Sequence, residues 1–567
     1  MRRRRNRREF LDAPPDPYDW DGEWDTVTPM PRSGGMAFGF SGPSSRRCRP
    51  GSAAEDLPLD YLPKERLDVR AFATLETVLE GKPSAYVRLL LGEFNMEDVL
   101  KCRPPRIRKI SRQLSRQAGY LLSQGIIEEH AEHEIHTMMA LFAVLKKNGK
   151  GRLIANAKAV NRYFREPFKM ELPSLHSYID YIMQAEVAAV ADARCFFYQI
   201  PLPEKLKPFF GVRFPKGKRG GLAHYVFNVI PMGWKWSPAL AQHLSNLLCK
   251  GVGMAWVDNF VIAGTKESFE GQRQTFLQRA RDTKTALDSE ELNPRTQVTA
   301  LGIEFDLELK RLRLENPDVE DLKEVMTRRQ IYETLGKLLW RDYVYGLPLC
   351  NRSVSMALMS RVLRGQEGTP EWDEEVQITK SEIDKTNAWA AECRLNEPRQ
   401  WTGPKEEREP EAMAFSDASD HTGAYLLFEQ RNFEWKLESV GRRRLGLDTP
   451  IFLKELEMAV EAIEAAKGKR VHLWVDNMAV KLCLQRRLSA VYKGNELLSR
   501  VAHSDYDASW VGTECNIADG PTRGRAFPVR GTGLEEVCEA HRTWKLSSRQ
   551  KPGPAPSVKR RPLVQFA

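Results

Sequence analysis

Met254-Ala-Trp-Val-Asp-Asn-Phe-Val-Ile-Ala-Gly264 places an acid and an amide, Asp258 and Asn259, at a turn between two apolar segments. Short apolar runs broken by a polar pair read as two strands joined by a tight turn. A second apolar run, Glu186-Val-Ala-Ala-Val-Ala-Asp192, also ends in an acid. Between them stands Pro231-Met-Gly-Trp-Lys-Trp-Ser-Pro238, and the residues after it predict a helix over Pro238–Lys250 that begins at proline. Two acids far apart in sequence, each at a strand end, are what two bound divalent ions need. Taken singly, an aspartate at a strand end is an ordinary cap or turn residue. The signal lies in the order of the segments.

Working outward, Leu141-Phe-Ala-Val-Leu145, the turn Lys146-Lys-Asn-Gly149 and Gly151-Arg-Leu-Ile154 predict a β-hairpin. Ile107–Gln124 carries apolar residues at helical spacing, with Gly125 as the stop. Glu186–Asp192 and Tyr225–Ile230 read as strands, and residues 318–365 as largely helical.

Asp192-Ala-Arg-Cys-Phe-Phe-Tyr-Gln199 has Phe197 five residues and Gln199 seven residues after the acid. In this the chain resembles the reverse transcriptases of retroviruses and LTR-type retroelements. Gly233-Trp-Lys-Trp-Ser-Pro238 is similar to their second motif, and Trp256-Val-Asp-Asn259 stands where they have Tyr-x-Asp-Asp. Arg152 precedes Asn161 by nine residues, as in the family's fingers hairpin, and Asn293-Pro-Arg295 and Ala300-Leu-Gly-Ile303 follow as its later motif and primer grip. The resemblance implies that Asp192 and Asp258 ligate two Mg²⁺ ions, with Mn²⁺ as a substitute. It places Lys146 and Arg152 on the triphosphate of the incoming deoxynucleotide. Phe197 lies under its sugar, Gly233 lets the backbone approach the base-paired end, and Met232 is a further nucleotide-binding position. Asn259 departs from the family, since it replaces the second acid of the pair, as Asp-Asn does at the equivalent turn of negative-strand RNA virus polymerases. Trp256, Asn156 and Met232 depart too.

A second set of acids follows a Pro-, Gly- and Glu-rich break at Asn396–Glu411. It comprises Asp417 in Ala414-Phe-Ser-Asp-Ala-Ser, Glu455 in Glu-Leu-Glu-Met-Ala459, Asp476 closing Val471-His-Leu-Trp-Val, and Asp519 in Asn516-Ile-Ala-Asp-Gly-Pro-Thr-Arg523. The predicted order is strand, strand, helix, strand, helix, strand, helix. Four acids on that pattern resemble a ribonuclease H domain with two metal ions. Glu455 is preferred over Glu457 because Ala459 and Ala462 share its helical spacing. No histidine precedes the last acid.

The expected fold is therefore α/β and α+β multidomain: a right-hand polymerase with fingers, palm and thumb, followed by a ribonuclease H-like domain. Its expected divisions are an arm over 1–60, an N-terminal extension over 61–104, fingers and palm over 105–317, thumb and connection over 318–408, the nuclease over 409–527 and a tail over 528–567. The resemblance implies a retrotransposon reverse transcriptase–ribonuclease H. The nuclease motifs are most similar to those of DIRS-like elements, and Asn259 points to their trypanosomatid relatives. Its partners would be an RNA template, a DNA primer, an RNA–DNA hybrid and deoxynucleoside triphosphates. Two other readings stay open: a catalytically degraded remnant that binds nucleic acid, and a chain with a working nuclease and a dead polymerase. No protease, zinc-knuckle or integrase motif is visible, which leaves a product of a multi-frame element or a fragment.

Charge supports a polyanionic partner. Six of the first eight residues are arginine, and the last 23 carry six cations and no acid, so the chain between them sums to −2 of the total +10. Both tails read as disordered by composition. Nine scattered cysteines fit free thiols in a reducing compartment. No apolar run approaches the ~20 residues of a membrane helix, and no secretory signal follows the N-terminal arginines. The expected location is intracellular, in the cytoplasm or nucleus.

Overall fold

The computed structural model describes residues 58–549 apart from 112–113, 147–148, 217–220, 290, 316–317, 364–371, 404–408, 447 and 490. The N-terminal arginines, Cys48, Lys147 and the tail past 549 lie outside the described residues. The chain forms two compact units, Met1–Asp318 with Asn396–Pro404, and Val319–Leu395 with Lys405–Ala567.

In the first unit, β1 (Leu141–Leu145) and β2 (Gly151–Ala155) form the expected antiparallel hairpin, in register from Leu141↔Ala155 to Leu145↔Gly151. Helix α1 (Leu175–Gln184) buries Leu175, Tyr178, Ile179, Ile182 and Met183, the i, i+3, i+4 stripe of an amphipathic helix, and Ser174 caps its start. β3 (Val187–Asp192) follows, then α2 (Ser237–Cys249), β4 (Met254–Trp256), β5 (Asn259–Gly264) and α3 (Lys266–Asp282). The three strands form one antiparallel sheet in the order β3-β5-β4. β6 (Gln297–Ala300), β7 (Ile303–Asp306) and β8 (Arg311–Leu314) form a meander, and Arg399–Gln400 adds a last strand to β8.

Three sequence expectations change here. Ile107–Gln124 is not one helix. Ile107–Arg108 pairs in parallel with Thr137–Met138 at the edge of a five-stranded mixed sheet, and only Ala118–Ser123 is α-helical. Strand pairing has claimed the backbone that periodicity gave to a helix. The strand expected at Tyr225–Ile230 runs over Leu222–Phe227, because the Asn228 N–H donates to Ile126 O (2.9 Å) and Ile230 N–H to Ile200 O (3.0 Å). Residues 61–104 are no separate extension. Phe72, Val87, Leu89 and Leu90 share one core with Leu240 and Leu244 of α2, and buried Glu76 accepts from Ser84 N–H (2.8 Å) and pairs with His243 (2.8 Å).

The second unit begins with α4 (Arg328–Val344), α5 (Ser353–Leu363) and α6 (Lys380–Leu395), packed about Leu335, Leu338, Leu358 and Trp389. Then come β9 (Ala412–Ala418), β10 (Thr422–Arg431), β11 (Glu434–Arg444), α7 (Ile451–Ala465), β12 (Val471–Val475), α8 (Met478–Arg486), α9 (Tyr492–Arg500), β13 (Tyr506–Trp510), α10 (Asp519–Thr522) and α11 (Leu534–Arg549). The sheet order is β11-β10-β9-β12-β13, with β12 parallel to both its neighbours. Three elements were not expected: β11, the second helix α9 between α8 and β13, and α11. β11 is an edge strand whose residues are mostly charged, and only Leu437 among them is buried, so it lacks an apolar run. α11 lies in a stretch read as aperiodic tail, yet Val537 joins Leu437, Ile517 and Ala518 in a common cluster. The eight described cysteines are free, and among the described residues no helix is long and apolar enough to cross a membrane.

Candidate active sites

The β3-β5 register sets Asp192 directly opposite Asn259, so the sheet brings the first acid to the turn that holds the second. Val257 at φ +56° makes that turn tight, and Ala193 N–H donates to Asp258 O (2.8 Å), tying the turn to the segment after Asp192. Both residues reach solvent yet are crowded by protein on other sides, and Asp192 lines a cleft with Asp288 and Arg295. Burial pushes both upward from the usual carboxylate range, and the charge of Asp192 adds to the effect on Asp258.

Asn259 has a defined role. Its amide N–H donates to Asp192 Oδ1 (2.7 Å), while its oxygen accepts from Tyr178 Oη (2.6 Å). An ionised carboxylate only accepts, so the amide orientation follows from the network. Tyr178 is fully buried on α1 and packs edge-on against Trp256. Asn259 thus caps Asp192 where the family motif would put a second negative charge.

Two residues without a role in the sequence reading help to hold Asp192. Asp288 accepts from the Asp192 N–H (2.9 Å) and returns its own N–H to Asp192 O (2.8 Å). Gln199 donates to Arg194 O (2.7 Å) and Ala286 O (3.0 Å) and accepts from Ala286 N–H (2.8 Å), stitching the two loops together. The Asp288 contact spans 96 residues, and nothing local in sequence signals it.

Phe197 lies in a short 3₁₀ turn, half-buried, while Phe196, Tyr198 and Gln199 are buried. Of the three rings, Phe197 alone is not fully buried. Gly233 has φ +121°, and a Cβ there would meet Ala155 O at 2.1 Å. The glycine therefore serves the close approach of β2, a nearer reason than the base-paired end assigned from sequence. Ala155 N–H donates to Met232 O (2.9 Å), and Asn161 donates to Gly233 O (2.9 Å) and accepts from Lys235 N–H (3.1 Å). Arg152 lies within electrostatic reach of Asp258, and Lys146 forms an ion pair with Asp60.

In the second unit, Asp417, Glu455, Asp476 and Asp519 line one cavity of about 430 Å³ with Asn477, Thr522 and Arg523. Each acid comes from a different element: β9, α7, the end of β12 and the start of α10. Burial first, then repulsion from Asp476 and a further acid, pushes Glu455 up to about 8 and Asp417 up to about 6. The Thr522 hydroxyl donates to Asp417 Oδ2 (2.7 Å), and Glu455 Oε2 is buried without a partner. Glu457 pairs instead with Arg443 (2.8 Å). Asn516 explains the motif around Asp519. Fully buried, it donates to Ser416 O (3.0 Å) and accepts from Ala518 N–H (3.2 Å), fastening the α10 turn beside Asp417. Both oxygens of Asp519 face cations, Arg523 at 2.6 Å and Lys545 of α11 at 2.5 Å.

Among the described residues no three His, Cys, Asp or Glu side chains converge into a ready-made metal group. At the first site two carboxylates fit an ion that completes its shell with phosphate oxygens and water. At the second, an orphaned Glu455 oxygen among mutually repelling acids suits a divalent cation, and Asp519 must leave a basic partner to ligate one.

Residues 144–303 match the family described as reverse transcriptase (RNA-dependent DNA polymerase), so the chain carries a reverse transcriptase domain. The chain is similar to the Gag-Pol polyprotein of bovine immunodeficiency virus (strain R29), 22% identical over 40% of this chain and 16% of that protein. It is similar to the Gag-Pro-Pol polyprotein of human T-cell leukemia virus 3 (strain Pyl43), 34% identical over 23% of this chain and 9% of that one. It is also similar to the enzymatic polyprotein of Cestrum yellow leaf curling virus, 24% identical over 48% of this chain and 44% of that protein. The chain therefore spans less than half the length of these relatives. Among solved structures, the foamy viral protease-reverse transcriptase in complex with double-stranded DNA aligns with 80% of this chain and 84% of its own, at TM-score 0.43 and 16% identity.

Proposed function

From that reverse transcriptase domain we propose that the chain copies RNA into DNA and degrades the RNA strand of the resulting hybrid, as the polymerase and ribonuclease H of a retrotransposon. The carrying observation is the meeting of Asp192 and Asp258 at one sheet end inside the matched stretch. The nuclease half rests on the four acids of one cavity. The DIRS-like and trypanosomatid affinity is an expectation from the motifs at 417, 519 and 259.

Asp192 and Asp258 would hold divalent ions, Mg²⁺ or Mn²⁺ and two per site, which when bound supply Lewis-acid charge to the transferring phosphoryl oxygens. Asn259 and Asp288 keep Asp192 aimed at the cleft. Arg152 and Lys146 offset triphosphate charge, and a flat ring at Phe197 leaves no room for a 2′-hydroxyl. In the nuclease, Asp417, Glu455, Asp476 and Asp519 would hold the ions, while Thr522 and Asn516 orient two of those acids. The substrates are an RNA template with a DNA primer, deoxynucleoside triphosphates and the RNA–DNA hybrid. An intracellular location, in cytoplasm or nucleus, is part of the same proposal.

Primer extension on an RNA template with the purified chain and Mg²⁺ tests the reading. Synthesis is expected, and Asp192→Ala or Asp258→Ala should abolish it. Incorporation that survives either change sinks the assignment. A second reading has one observation in its favour: the amide at Asn259 removes a charge from the site. If the wild-type chain cleaves hybrids but extends no primer, it is a nuclease on an inert polymerase scaffold.

A further inference from the structure

Lys146, the lysine expected to meet the incoming triphosphate, already has an anionic partner. Residues 58–60 run parallel to β2, with Leu59 paired to Gly151. Asp60 N–H donates to Gly151 O (2.8 Å) and Gly151 N–H to Pro58 O (2.8 Å). The segment is anchored on both sides. Leu59 and Leu62 are buried in the polymerase core, Leu59 N–H donates to Gln117 Oε1 (3.2 Å), and Leu62 N–H to Tyr120 Oη (3.2 Å). The Cys195 thiol, three residues after Asp192, donates to Tyr61 O (3.1 Å).

This anchoring sets the Asp60 carboxylate on the Lys146 ammonium, with most of the carboxylate covered. Burial works to raise its pKa, but the Lys146 hydrogen bond and charge, with Lys150 nearby, outweigh it and hold the carboxyl below its usual range. Tyr61, next to Asp60, thus ties the pair to the segment that follows Asp192, and Lys146, Asp60, Arg152 and Asp258 all stand within electrostatic reach of the Cys195 thiol.

We propose that Asp60 is a specificity-determining residue of the polymerase: its carboxylate neutralises Lys146 in the nucleotide-free cleft and must be displaced by the polyphosphate of the incoming nucleotide. The inference rests on the polymerase reading above. A nucleoside triphosphate brings several charges and can displace one carboxylate. A monophosphate brings fewer and competes poorly. The device raises the threshold for anion entry rather than the chemical rate.

The test uses the full chain and inorganic triphosphate as the probe, with binding measured by calorimetry. Asp60→Asn keeps shape and removes charge. Losing an ion pair of about 1 kcal/mol should tighten triphosphate binding roughly three- to tenfold. The KM for deoxynucleotide should fall alike, with kcat unchanged or lower. Lys146→Met in the same background should erase the gain, and Asp60→Glu, which keeps the charge, should bind as the wild type does. Unchanged or weaker triphosphate binding by a folded Asp60→Asn protein overturns the proposal, as does a gain in Asp60→Glu. If primers are extended and triphosphate binding does not respond, the inference alone fails. If triphosphate binding responds and no primer is extended, the polymerase reading fails while the anion site stands.

Discussion

Replacing Asn259 by Asp would convert a hydrogen bond into a clash of like charges. The amide donates to Asp192 Oδ1 at 2.7 Å. In Asn259→Asp that bond is lost, a contribution of about 1.5–3 kcal/mol for a hydrogen bond to a charged group. Two carboxylates about 4 Å apart at an effective dielectric of ~20 repel by about 4 kcal/mol. The cleft mouth is open to water, which screens the pair and cuts the net cost to about 2 kcal/mol. One carboxyl of the pair must then carry a raised pKa. Its stabilising protonated form is fully present below the unfolded value and is lost as pH rises through the folded one. The variant should therefore match the wild type only below about pH 4 and, without metal, melt about 3–5 °C lower at pH 8. Mg²⁺ should remove the deficit, because it supplies the charge that the second carboxylate demands. Primer extension should rise in parallel. Thermal unfolding of the polymerase transition at both pH values, with and without Mg²⁺, checks this. Equal stability at pH 8 without metal would refute the Asn259–Asp192 contact and the capping role drawn from it.

Asp476→Asn should abolish cleavage of an RNA–DNA hybrid while DNA synthesis continues, since the two acid sites lie in different units; loss of both in a folded protein would break the two-site assignment. Phe197→Ala should raise incorporation of ribonucleotides relative to deoxynucleotides, and an unchanged ratio in single-nucleotide extension would place the sugar gate elsewhere. In the proposed nuclease, Glu455 raised to about 8 and Asp417 to about 6 must lose protons to ligate metal. Mg²⁺ affinity should therefore climb from pH 6 to 8 with proton release, read by calorimetry in buffers of different ionisation enthalpy. Metal-free stability should run the other way, fullest below the unfolded carboxyl pKa and lost as pH rises through about 8; pH-independent Mg²⁺ binding would count against both.

What the sequence discloses depends on how local each cause is. The hairpin at 141–155, the strand ending at Asp192 and the helix after Trp236 are written in short-range periodicity and turn chemistry, and the structure has all three. The four acids of the second cavity are legible in the order of their elements, Asp417 near the end of β9, Glu455 in α7, Asp476 just past β12 and Asp519 at the start of α10. β11 is not, since an edge strand needs little apolar surface and its residues are those of a solvated segment. Asp288 and Tyr178 were invisible for another reason: both act on Asp192 or Asn259 across many tens of residues, through contacts that only the folded sheet creates. Asn156, noted as a departure from the family motif, is exposed, and its N–H donates to Ala140 O at 2.9 Å.

The helix α11 changes where the proposed nuclease ends. The four-acid pattern closes near residue 523, and a boundary drawn there would discard Lys545. Asp519 is 2% exposed, and a chain cut at 527 would leave it with Arg523 as its one ion-pair partner in the structure. It would also strip Val537 from the apolar cluster that includes Leu437 of the edge strand. A shortened protein would thus lose ballast for a buried charge and cover for an edge at once, and would rely on bound cations to stay folded. The working limit of this domain is set by where its charges are balanced, at Lys545, beyond the last acid of its motif.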